Sequence, residues 1–272
     1  MTTEHAHNEQ PLGGGQLSPV VRVGDTIRRP TGPWTPAVHA LLAHLEQAGY
    51  PGAPRALGTD DQEREILSFV PGEVPAPDNP PPYVWAESAL TGAARLLRQY
   101  HDVVADFVPP RGAVWQTDDA SGQEREIICH NDVAPWNTGF LDGVPSAFID
   151  WDLAGPGRRL WDVVYALWHF VPLYAEEKCA RLGCDPSLDE RARRARSFCD
   201  AYRLPDGAVV IDAVLERQWR ARERIRTRAE RGDPAFVGLW RRGVGTGILH
   251  DLAFVRRNAV TLARYVSHTG GR

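Results

Sequence analysis

The order of patterns along the chain predicts an α+β fold, with a small sheet lobe at the N-terminus and a larger helical lobe after it. Three observations carry this. Short β-type runs crowd into residues 1–70, an Asp-Gly hairpin sits in mid-chain, and helical periodicity dominates the remainder of the chain. The expected division is 1–70 for the first lobe, with 1–11 disordered because it is polar and aperiodic, and 71–272 for the second.

In the first lobe, Gly13-Gly14-Gly15 leads into a strand around Val20-Val21-Arg22-Val23, a Gly24-Asp25 turn and a second strand at Thr26-Ile27-Arg28-Arg29. The run 35–48 carries Val38, Leu41, Leu42 and Leu45 at helical spacing. Ala56-Leu57-Gly58 and residues 65–70 read as two more strands around an Asp60-Asp61 turn. A proline-rich connection at 75–82 then stiffens the chain. Beyond it, 84–104 reads as a core helix through Ala89, Ala93, Leu96, Leu97 and Tyr100, and 161–174 as a buried apolar helix. Residues 189–268 read as helical, with breaks near Pro205-Asp206-Gly207, Gly232-Asp233-Pro234 and the glycines of 243–247.

Composition excludes several classes. A chain of 272 residues with 43% hydrophobic residues and 9 Trp can bury a full core. No apolar run is long enough to span a bilayer, and the start MTTEHAHNEQ lacks the layout of a secretory signal, so a cytoplasmic protein without membrane association is expected. Cys129, Cys179, Cys184 and Cys199 form no paired framework, and reduced thiols are expected. The net charge of −4 hides an asymmetry: from Arg191 onward there are 18 Arg and 8 acidic residues, against 13 basic and 27 acidic before it. No nucleic-acid motif accompanies the Arg residues, so nucleic acid is not an expected partner.

The chemistry concentrates in 129–152, CHNDVAPWNTGFLDGVPSAFIDWD. Asp142-Gly143 between two apolar runs predicts a tight hairpin, which brings Asn137 and Asp150 together at its open end, with Asp132 on the loop leading in. An amide and a carboxylate side by side suit a hard cation such as Mg²⁺, which takes few protein ligands and completes its shell with phosphate and water. Asp132 is then placed to accept the proton of an incoming hydroxyl, the base role in phosphoryl transfer.

The segment His130-Asn131-Asp132, the spaced Asn137 and Ile149-Asp150-Trp151-Asp152 resemble the catalytic and metal loops of the aminoglycoside phosphotransferase and choline kinase family, relatives of the protein kinases. The resemblance implies a protein-kinase-like two-lobe fold and a Mg²⁺-dependent transfer of phosphate from ATP or GTP to a small-molecule hydroxyl acceptor. By it, Asp132 is the catalytic base, Asn137 and Asp150 hold the metal, and Asp152 is a second acidic position nearby. The segment Arg159-Leu160-Trp161-Asp162 resembles the part of the family in which an Asp braces the catalytic loop. Ser68, Phe69 and Val70 correspond to the hinge whose backbone binds the adenine edge.

The chain departs from the family in one respect. The Lys expected on the strand after the glycine loop is missing, since the single Lys is Lys178, and the helix 35–48 has no early Glu to hold one. Arg28, or failing it Arg29, is the natural substitute, because neighbouring strand residues face opposite ways. Without the Lys–Glu pair, a kinase-like scaffold that binds but does not transfer is the alternative to an enzyme. The positive excess of the C-terminal part fits a neutral or anionic acceptor better than a polycationic one. Oligomeric state is not legible.

Overall fold

The computed structural model describes residues 9–12, 20–117, 126–204 and 209–267. Strands β1 (Gln10–Pro11), β2 (Val21–Val23) and β3 (Thr26–Pro30) are followed by helix α1 (Thr35–Gln47), then β4 (Ala56–Thr59) and β5 (Arg64–Ser68). They form one antiparallel sheet of order β1-β2-β3-β5-β4. The disorder expected for 1–11 is corrected at its end: Gln10 and Pro11 pair with Arg22 and Val21, and an edge strand tolerates the proline's missing N–H. Residues 1–8 and the glycine run 13–15 lie outside the described residues. On α1, Val38, Leu41, Leu42 and Leu45 are buried, as their spacing predicts.

The helical part begins with a 3₁₀ turn at Pro82–Trp85 and α2 (Glu87–Val103). Strand β6 (Ile127–Cys129), hairpin strands β7 (Thr138–Leu141) and β8 (Val144–Phe148), and β9 (Gly155–Gly157) come next. Helices α3 (Arg159–Phe170), α4 (Glu176–Leu182), α5 (Leu188–Tyr202), α6 (Val210–Glu230), α7 (Pro234–Arg241) and α8 (Val244–Ser267) complete the chain. The hairpin turns through Asp142 and Gly143, both at positive φ (51° and 74°), as a two-residue connection between right-twisted strands requires. The pairing of β6 with β9 is not predicted by the sequence, because Gly155-Pro156-Gly157 carries no strand propensity and pairs only through its position.

Two further expectations are corrected. Cys179 and Cys184 are joined as a disulfide: Gly183, at φ 71°, caps α4 and folds the chain back until the two Cα atoms lie 5.1 Å apart. Cys129 and Cys199 are free and buried. The helix break at 243–247 is confined to Gly243, and Gly245 and Gly247 lie inside α8. A Cβ at Gly245 would stand 2.5 Å from the Trp240 ring, so this glycine serves close packing of α7 on α8. No described helix is long and apolar enough to cross a membrane.

A single buried cluster runs through both parts, from Leu41 and Leu67 through Leu97, Tyr100 and Trp151 to Phe254. Backbone also ties them together. Glu73 and Phe140 exchange both N–H···O bonds, at 2.9 and 2.8 Å, bringing the segment after the sheet against the hairpin. Gly72, at φ 114°, permits this approach, for a Cβ there would lie 2.4 Å from the Phe140 carbonyl oxygen. Gly72→Ala is therefore expected to destabilise the protein by at least about 1–3 kcal/mol, the cost of one strained backbone position. A denaturant midpoint equal to wild type would show that this contact is not needed.

Candidate active site

The loop from β6 to β7 is shaped by one carboxylate. Asp162, in the first turn of α3 and fully buried, accepts the backbone N–H of His130 at its Oδ2 and of Asn131 at its Oδ1, both at 2.7 Å. His101 of α2 lies 3.2 Å from the same Oδ2 through Nε2, and its Nδ1 is 2.7 Å from the Tyr202 hydroxyl. Burial opposes the charge on Asp162, but His101 and the two amides outweigh it and hold the carboxyl below its ordinary range. Asn131 sits at φ 67°, so the chain reverses immediately after these bonds, and its carbonyl is held by Arg217 of α6 at 2.7 Å. His130 is buried; its Nδ1 accepts the Asp132 N–H at 3.2 Å, which leaves Nε2–H to donate to the Ile149 carbonyl at 3.1 Å.

This arrangement aims Asp132. Its Oδ1 accepts the Tyr165 hydroxyl at 2.6 Å and its Oδ2 the Asn137 amide at 2.7 Å. Burial raises its proton affinity, with Tyr165 and Arg224 pulling the other way, so the carboxylate is a stronger base than one in water. The Asn137 carbonyl accepts the Ile149 N–H at 2.9 Å, closing the open end of the hairpin and setting Asn137 beside Asp150. Asp150 adopts φ 61°, and its side chain is 48% exposed. The sequence-predicted trio of Asp132, Asn137 and Asp150 thus converges on one edge of the hairpin.

The cationic residue of the site is Arg29, which corrects the expectation that Arg28 faces the pocket. Arg29 Nε donates to Glu65 at 2.5 Å, Nη1 to Asp150 at 2.9 Å and Nη2 to Asp152 at 2.6 Å. Arg28 points the other way, to Thr26 at 2.6 Å and Asp60 at 3.6 Å. The reason is register: Arg29 stands directly opposite Glu65 in the β3–β5 ladder, and both are buried. His39 of α1 lies 2.8 Å from the second Glu65 oxygen, so a histidine occupies the helix where the family's Glu was expected, and the carboxylate comes from the neighbouring strand. Burial opposes the Arg29 charge, but Asp152, Asp150 and Glu65 together raise its pKa above the ordinary arginine value. Burial likewise pushes Asp152 up to about 6 against the pull of Arg29.

One guanidinium facing three carboxylates leaves the local charge short of neutral, and the exposed Asp150 with Asn137 offers the oxygen donors that suit a divalent cation. Among the described residues no group of three or more His, Cys, Asp or Glu could hold a metal by itself. That donor set fits Mg²⁺, which relies on substrate phosphate for the rest of its shell.

Ser68 closes β5 and Phe69 follows it. Their backbone N–H groups donate to the carbonyls of Arg55 and Asp25, both at 2.9 Å, and Arg22 stacks 3.7 Å over the Phe69 ring. Val70 packs toward Gly139. Sequence reasoning missed Tyr165, Glu65, His39 and Arg217. Tyr165 carried a usable signal, for a tyrosine in an apolar buried helix needs a partner for its hydroxyl.

A five-stranded antiparallel sheet with one helix, a helical body, and a braced loop leading to a hairpin edge with Asp, Asn and Asp define the class of kinase-like phosphotransferases. The comparisons agree. The model of the phosphotransferase enzyme family matches residues 111–199. A curated relative, the trifolitoxin immunity protein of Rhizobium leguminosarum bv. trifolii, is 32% identical over 256 residues, covering 90% of this chain and 96% of the relative. Among solved structures, a microcompartment-associated aminopropanol kinase superposes with a TM-score of 0.59 at 14% identity, covering 94% of this chain and 93% of that one. A choline/ethanolamine kinase family protein from Mesorhizobium loti gives 0.57 at 14% identity, covering 93% and 94%. The chain belongs to the family of aminoglycoside phosphotransferases and choline kinases.

The Asp162 brace makes folding pH-dependent in a definite direction. Asp162, His101 and the buried His169 all bind protons less readily folded than unfolded. Their stabilisation is complete above about pH 6.5; it is lost first as the unfolded-state histidines protonate, then again below about pH 4. Stability by urea titration is expected to fall between pH 7 and pH 5, and Asp162→Ala to cost about 3–5 kcal/mol. A flat profile with a mild Asp162→Ala would show that the buried brace is not charged.

Proposed function

We propose that this protein is a Mg²⁺-dependent phosphotransferase that moves the terminal phosphate of ATP or GTP to a hydroxyl of a small molecule. The observation that carries the reading is Asp132, whose two oxygens are fixed by Tyr165 and Asn137 beside the Asp150–Arg29 cluster. Asp132 orients the acceptor hydroxyl and takes its proton as the oxygen attacks. Asn137 and Asp150 would hold Mg²⁺, which when bound neutralises phosphate charge and aligns the phosphate for in-line attack. Arg29, rather than Arg28, is the residue we assign to the nucleotide phosphates, with Glu65 and His39 positioning it. The segment Ser68–Val70 is kept as the nucleotide hinge on family grounds, with Val70 nearest the hairpin. Solved structures of this fold with GDP, ADP and ATP support a purine nucleotide as donor.

The name of the curated relative adds a biological sense: an enzyme of this kind would protect by phosphorylating a hydroxyl of a toxic compound. A second reading, binding without transfer, is favoured by one observation, the ion pairs that Arg29 already makes with Asp150 and Asp152. Turnover separates the two.

Asp132→Asn should lower phosphotransfer, or nucleotide hydrolysis where no acceptor is in hand, by about 10²–10⁴-fold. The rise in Tm produced by Mg²⁺ and ATP should persist, since the variant keeps the shape of the site. Unchanged turnover would remove Asp132 from the base role, and wild-type protein stabilised by Mg²⁺ and ATP but without any turnover would favour the binding reading. Arg29→Ala should weaken nucleotide affinity by at least about tenfold, the loss of a charge-assisted contact, and Arg28→Ala much less. The reverse order in titration calorimetry would return the phosphate role to Arg28.

A further inference from the structure

A cleft of about 520 Å³ is lined by Gln116, Thr117 and one face of α6 with the start of α7. That volume suits a small molecule. Its charged lining is unequal: Arg220, Arg224, Arg228 and Arg231 against Glu223 and Asp233. The Glu223 carboxylate is shared with Arg222 and Arg226, which do not line the cleft, while Arg228 is paired with Asp233 at 2.6 Å and Arg220 with Glu216 at 2.8 Å, so the arginines still outnumber the carboxylates that meet them. The arginines recur every three or four residues, so they stand in file along one helix face that begins at Arg217, the residue holding the Asn131 carbonyl of the catalytic loop. The same helix face reaches the catalytic centre through Arg217, whose guanidinium lies 4.6 Å from the ring of Tyr165, the partner of Asp132. The Thr117 hydroxyl, which also lines the cleft, is buried and has no hydrogen-bond partner among the described residues.

We infer that this cleft is the acceptor site and that it selects a hydroxyl compound bearing an oxyanion, a phosphate or carboxylate, which the α6 arginines grip while its hydroxyl reaches Asp132. The inference rests on the phosphotransferase reading for its chemistry. The acceptor oxygen forms a bond to the terminal phosphorus of the nucleoside triphosphate, the bond from that phosphorus to the bridging oxygen breaks, the nucleoside diphosphate leaves, and the hydroxyl proton passes to Asp132. Arginine's planar fork matches an oxyanion with paired hydrogen bonds, whereas a cationic amino alcohol would meet like charge along the whole file.

The test is the thermal midpoint of the full chain with two probes, glycerol 3-phosphate and 3-amino-1-propanol, which join a hydroxyl to opposite charges. Glycerol 3-phosphate should raise the midpoint of wild type and of Asp150→Ala, while the rise due to Mg²⁺ and ATP is lost in Asp150→Ala. Arg224→Gln and Arg228→Gln should each weaken the apparent affinity for glycerol 3-phosphate by at least about tenfold, and Arg224→Lys, which keeps the charge but not the fork, should lose less than Arg224→Gln. Three outcomes overturn the inference: no rise in wild type, a rise indifferent to both glutamine variants, or a rise with 3-amino-1-propanol alone. The two readings fail separately. Arginine-dependent stabilisation by glycerol 3-phosphate without any effect of Mg²⁺ and ATP would remove the phosphotransferase reading and leave the anion cleft; stabilisation by Mg²⁺ and ATP alone would do the converse.

Discussion

The site depends on the charge cluster around Arg29. A guanidinium that is nearly buried is tolerated only when its donors and its charge are both met, and here three carboxylates from two parts of the chain meet them: Glu65 from the sheet, Asp150 and Asp152 from the loop after the hairpin. The cluster therefore does more than place a cation. It fixes the β3–β5 register on one side and the loop after β8 on the other, so the small sheet cannot shift against the helical part without exposing a buried charge to the wrong partners. The cluster lies on the strand where the Lys of the family was expected, and its parts are chemically consistent with one another. Arginine needs more acceptors than lysine, and the chain supplies them from a strand and a loop rather than from α1 alone.

A second polar network does for Asp132 what the first does for the cation. Asp162, His101 and Tyr202 form a buried line whose outer end receives the amides of His130 and Asn131, so the loop from β6 to β7 is held by backbone bonds rather than by its own side chains. Asp132 is then left to Tyr165 and Asn137, one bond to each oxygen. Such a group is held in one rotamer without being neutralised, which would suit the base role we propose for it. Arg217 closes the underside through the Asn131 carbonyl and begins the arginine face of α6, so the helix that supports the loop also furnishes the wall of the adjoining cleft.

Family membership and the curated relative bear on different levels of this description. The fold is shared with a choline/ethanolamine kinase family protein and an aminopropanol kinase at 14% identity. The relative named for toxin immunity is similar over nearly its whole length. The opposed charge of the α6 cleft is the feature that separates this chain chemically from one built for polycationic substrates.

What the sequence determined by itself was local. Asp142-Gly143 dictates a hairpin through positive φ, the hairpin dictates that Asn137 and Asp150 meet, and the spacing of Leu41, Leu42 and Leu45 dictates the buried face of α1; each is set by neighbours in the chain. The order of strands, hairpin and helices was legible for the same reason. Tertiary structure decided what depends on contacts between distant segments. Arg28 and Arg29 are indistinguishable in sequence, since strand alternation says only that they differ, and the choice came from Glu65 standing opposite one of them across 36 residues. The partner of Asp132 on α3, the β9 strand of Gly155-Pro156-Gly157 and the closeness of Cys179 to Cys184 were settled likewise, by packing and chain reversal. A pattern in one segment reports the conformation of that segment; which side chain completes a charge or a hydrogen bond is set by the segment it meets.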